Sequence, residues 1–81
     1  MARKRDELPE AGEDMVLAQR ERLRELADSY GLWDVRCSPS GKLYARIAPN
    51  APTQRLTRFE QEATEIVGGW VTVFRDVRYP L

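Results

Sequence analysis

At 81 residues, with 42% hydrophobic and 32% charged side chains and thirteen bases against thirteen acids, the chain reads as one small, charge-rich domain. A chain this short cannot hold both a sizeable core and a deep substrate cavity, and no apolar run approaches the ~20 residues of a membrane span. It has no histidine and a single cysteine, Cys37, so triads and zinc-hydrolase motifs built on histidine are ruled out, and so is an internal disulfide. These absences predict a protein with no metal, no cofactor and no catalytic chemistry. A lone cysteine fits a reducing cytoplasm. The basic start Met1-Ala2-Arg3-Lys4-Arg5 is followed by no apolar stretch and does not read as a secretory signal. Eleven arginines against two lysines suggest a GC-rich genome, bacterial or phage.

Residues 1–14 mix bases and acids with Pro9 and Gly12 and almost nothing apolar, which predicts a flexible tail ahead of a single α+β domain over 15–81. Val16, Leu23, Leu26, Ala27 and Tyr30 recur on one helical face, so 15–30 is expected as a helix. Asp14 is the expected N-cap, Gly31 the expected C-cap glycine, and Leu32 the apolar residue that closes such a cap. From 33 to 48 the pattern is that of a β-hairpin. Trp33, Val35 and Cys37 alternate with polar residues, Ser38-Pro39-Ser40-Gly41 makes the turn, and Leu43, Ala45 and Ile47 alternate with Tyr44 and Arg46. The apolar set, Trp33 included, is expected to face inward.

Pro49-Asn50-Ala51-Pro52 breaks the strand, and Asn50 or Thr53 is expected to cap the second helix. Leu56, Phe59, Ala63, Ile66 and Val67 predict that helix over 54–67, ended by Gly68-Gly69. The β-branched and aromatic run 70–75 predicts a strand, and 77–81 a short tail. The order is α-β-β-α-β: two helices packed on one face of a three-stranded sheet, with a parallel crossover permitted between the last two strands.

Between Asp34 and Glu60 the chain has no acid and five bases, Arg36, Lys42, Arg46, Arg55 and Arg58. A local positive field attracts phosphate or an acidic partner even when the whole molecule is neutral. The candidate polyanion-binding set is therefore Arg36, Lys42, Tyr44 and Arg46 on the hairpin, with Arg55 and Arg58 at the start of the second helix. Guanidinium suits phosphate, and the tyrosine ring suits a base. A solvated sheet face accounts for the same alternation. Trp33, Trp70 and Phe74 are candidate anchors for a protein interface, because Trp and Tyr carry much interface energy. Val71 and Val73 on one side, with Trp70 and Phe74 on the other, make the last strand apolar on both faces, which argues for a protein partner or a homodimer.

Two stretches resemble a known family. Leu26-Ala27-Asp28-Ser29-Tyr30-Gly31-Leu32-Trp33-Asp34-Val35-Arg36 is similar to the helix-Gly-strand opening of minimal nucleotidyltransferase domains, antitoxin members included. The run Leu56 to Val73, with Ile66-Val67-Gly68-Gly69-Trp70-Val71-Thr72-Val73, looks like their later helix-Gly-strand. The family's Gly-Ser motif should come after Arg36, where this chain reads Cys37-Ser38-Pro39-Ser40-Gly41. Its paired aspartates should lie on the next strand, which here is Tyr44-Ala45-Arg46-Ile47. The resemblance thus implies a catalytically dead remnant and carries over no functional residue. The sequence as a whole points to a non-catalytic binding or regulatory module. It would act through protein–protein or homo-oligomeric contacts on its sheet, or through RNA or single-stranded nucleic acid at the basic hairpin face.

Overall fold

The structure, a computed structural model, describes residues 8–76. The expected tail at 77–81 and the first seven residues lie outside that range. The elements run α1 (Glu13–Ala18), α2 (Arg20–Ser29), β1 (Trp33–Cys37), β2 (Leu43–Arg46), α3 (Gln54–Val67) and β3 (Val73–Arg75). The α+β class holds, with a three-stranded mixed sheet in the order β1-β2-β3. β1 and β2 form the antiparallel hairpin, and β3 returns parallel to β2 after α3, which puts β3 at an edge.

The first helix differs from expectation. It starts two residues early, with Gly12 as N-cap and Asp14 inside the first turn, and it breaks at Gln19 into α1 and α2. No proline or glycine marks the break. Gln19 N–H turns back to the Val16 carbonyl, an i→i−3 bond tighter than the helix. The end of α2 matches the sequence pattern closely. Gly31 has φ 72°, its N–H reaches the Asp28 carbonyl, and Leu32 N–H reaches that of Ala27. This is the paired-bond glycine cap, with Leu32 buried behind it.

The segment expected as a tail is tied down from Pro9 onward. Trp70 N–H donates to the Pro9 carbonyl and Ala11 N–H to that of Trp70, a two-bond parallel bridge. Ala11 is buried in the core. The expected strand over 70–75 is correspondingly divided: Trp70 pairs with this N-terminal segment and only Val73–Arg75 pairs with β2. Between them Val71 is fully buried, and its N–H donates to the buried Thr64 Oγ1 at 3.1 Å.

α3 keeps the expected bounds, with Leu56, Phe59 and Ala63 in the core. Thr53 stands at its N-cap but is itself helical and makes no side-chain cap bond, so neither expected capping contact forms. Val16, Leu23, Ala27, Leu32, Leu43, Ala45, Phe59 and Val71 close one contiguous core. Leu43 is 2% exposed and Ala45 0%, whereas Tyr44 between them is 36% exposed. The helices therefore cover the Leu43–Ala45 side of the sheet and leave the Tyr44 side open.

Candidate functional site

The open side is built by register. Arg36 on β1 stands opposite Tyr44 on β2, and Tyr44 opposite Phe74 on β3, so the three side chains form a row across the sheet. Tyr44 and Phe74 stack, with ring centroids 5.4 Å apart and planes 24° from parallel. Lys42, two residues before Tyr44, holds its Nζ 5.8 Å from the Phe74 ring centroid, at the outer reach of a cation–π contact. Two residues after Tyr44, Arg46 continues the same face.

Trp33 joins this face against expectation. β1 carries one extra residue between its pairings Trp33↔Arg46 and Arg36↔Tyr44, a β-bulge, and Asp34 at φ 50° takes the left-handed conformation that the bulge requires. One inserted residue reverses which way the preceding side chain points. Trp33 thus leaves the inward set of Val35 and Cys37 and stands 47% exposed opposite Arg46.

Two acids accompany these bases. Asp34 accepts from Arg36 Nε at 3.3 Å, a solvent-exposed ion pair. Asp76 N–H extends the β2–β3 ladder to the Ala45 carbonyl, so by alternation its side chain falls on the Phe74 side. Both acids lie at the Trp33–Arg46 end. Through its bonds to Arg36 the Asp34 carboxylate reaches into the row itself, so Lys42, Tyr44 and Phe74 hold the hairpin end and mixed charge runs from Arg36 to Arg46.

The remaining candidates lie elsewhere. Arg55 and Arg58 are on α3, on the covered side of the sheet. The Arg55 guanidinium lies against Gly31, and the Arg58 charge is felt by the Tyr30 hydroxyl, which donates to Glu62 Oε2 at 2.8 Å. The six-residue polyanion set is therefore split four and two. Trp70 is half-buried at the Leu43 end of the sheet, while Trp33 is at the Arg46 end, so the two tryptophans do not share a sheet end. The grouping of Phe74 with Tyr44 was hidden in the sequence, since it depends on the parallel register of β3. The signal for Trp33 was present but ambiguous: an Asp before Val is a permitted left-handed residue and equally an ordinary strand residue.

Cys37 is on the inner side of β1, and burial, followed by the Glu13 carboxylate, raises its thiol pKa. That favours the unreactive thiol over the nucleophilic thiolate. Among the described residues no three His, Cys, Asp or Glu side chains cluster as a metal site would need, and no helix there is long and apolar enough to cross a membrane. In comparisons with known proteins, no family model, curated protein or solved structure matches the chain. They neither extend nor contradict the helix-Gly-strand likeness.

Proposed function

We propose that this chain is a non-catalytic binding module and that the uncovered sheet face is its working surface. The observation that carries this reading is the gathering of Trp33, Tyr44 and Phe74, all at least 36% exposed, on the one side of the sheet that no helix of the described residues covers. Rings of this size are costly to leave in water, and aromatic side chains with arginine are the residue types that dominate recognition surfaces. Hydroxyl-radical footprinting tests the reading even while the partner is unidentified. In extract of cells that make the chain, Trp33, Tyr44 and Phe74 are expected to be protected relative to the purified protein. Protection confined to Met15 and Leu17, the exposed apolar residues of α1, would place the working surface on the helices instead.

A protein partner or a second copy of this chain is the other reading of the same face, and the 47% exposure of Trp33 favours it. Light scattering decides for a second copy: a mass that doubles with concentration and returns to monomer in Trp33→Ser supports it, and a monomer at every concentration removes it.

A further inference from the structure

Resting on that contact-surface reading, we infer that the occupant is a short single-stranded stretch of RNA, with unpaired bases stacked on the Tyr44–Phe74 pair and phosphates held by Lys42 and Arg36. The face is short: its three strands run three to five residues each. Stacking on the ring pair needs no more than the width of two neighbouring strands, which roughly two or three nucleotides span.

Charge and ring chemistry point to the occupant. The hairpin end carries Lys42 and Arg36 beside the two stacked rings, and sequence positions 35–59 contain no acid. A phosphodiester passing that end meets Lys42 and competes with the Asp34 carboxylate for Arg36, an exchange that a solvent-exposed ion pair permits. The rings supply what phosphate contacts alone lack, a flat π-surface available only to bases out of a duplex. Ribose is distinguished from deoxyribose by its 2′-hydroxyl, which both donates and accepts. The Tyr44 hydroxyl, on the same face, also does both, and among the described residues it has no hydrogen-bond partner.

The test is fluorescence anisotropy with the intact chain and a labelled mixed-sequence single-stranded RNA, with the matching single-stranded DNA and RNA duplex as further arms. Binding to single-stranded RNA is expected to exceed that to the duplex. It should weaken with salt at a log–log slope of roughly −1.4, two phosphate contacts at about −0.7 each. Phe74→Leu, which keeps an apolar side chain and removes the ring, is expected to weaken binding roughly 5- to 100-fold. Lys42→Glu should weaken it and flatten the salt slope, and Arg58→Glu, on the covered side, should leave it unchanged. Tyr44→Phe is expected to keep DNA affinity and lower RNA affinity to the DNA level. Circular dichroism of each variant separates lost binding from lost folding. No binding at low salt overturns the inference, as does affinity unmoved by Phe74→Leu and Lys42→Glu in folded variants. Equal affinity for duplex removes the stacking mode, and equal affinity for DNA removes RNA as the occupant. Radical protection of the three aromatics in extract together with failure to bind RNA would sink this inference alone, whereas loss of that protection sinks the surface reading with it.

Discussion

Thr64 is the buried polar side chain of α3, 4% exposed, and its Oγ1 accepts the N–H of the fully buried Val71. Thr64→Val keeps the shape and removes the acceptor. The stranded amide should cost about 1–3 kcal/mol in urea unfolding, and Thr64→Ser should recover most of the loss; equal stability of all three forms would show the bond to be dispensable. Gly41 combines two demands. Its φ is 83°, and a Cβ there would overlap the Ala11 carbonyl oxygen and lie 2.8 Å from the Gly12 carbonyl carbon. Gly31 shares the left-handed conformation, but a Cβ there meets only the movable Arg55 guanidinium at 3.2 Å. Gly41→Ala is therefore expected to destabilise clearly more than Gly31→Ala, whose cost should stay near the ~1 kcal/mol of left-handed backbone. Tyr30 adds a pH dependence. Its hydrogen bond to Glu62 is the main cause of a phenol pKa raised above 10.0, with burial and the Glu62 charge adding and Arg58 opposing. A raised folded-state pKa means the contribution is fully present below pH 10 and disappears as pH climbs through the folded value. Alkaline unfolding should thus begin at the same pH but be shallower in Tyr30→Phe; an unchanged profile would reject the link.

At the scale of elements, periodicity served best where a helix had one clear apolar face and a strong stop. α3 and the glycine cap of α2 could be read directly, because their bonds are local. The hairpin turn was legible for the same reason: Gly41 N–H closes on the Ser38 carbonyl, within the four residues that specify it. The features that escaped were set by distant partners. The break at Gln19 has no local sequence cause. The bridge of Pro9–Ala11 to Trp70 joins segments about sixty residues apart. The bulge at Asp34 exists because β1 must meet β2 in one register. On the side of β3 away from β2, a side chain takes the place of a further strand: Val73 N–H donates to Glu60 Oε2 at 2.9 Å. Glu60→Ala should speed hydrogen exchange at the Val73 amide far more than at Leu43, whose N–H reaches the Thr72 carbonyl. Equal exchange in both forms would mean the carboxylate does not hold the strand.

At the largest scale, the three helices and one sheet of the described residues make two layers, and a two-layer arrangement leaves the far side of its sheet in water. The inner side obeys the usual rule, with small and branched residues packed on Phe59. The outer side does not. It places two stacked rings and an exposed indole among arginines and a lysine. The site was legible in part: Arg36, Lys42, Tyr44 and Arg46 are grouped by strand alternation, which sequence supplies. Arg55 and Arg58 lie in the same acid-free window yet belong to the opposite side, because sequence proximity says nothing about which layer a helix occupies. The most direct test is photo-crosslinking in living cells, with a photo-reactive aromatic residue at Tyr44 in one strain and at Arg58 in another. The uncovered face as working surface predicts a discrete crosslinked species from position 44 and none from position 58; crosslinks from position 58 alone would contradict it.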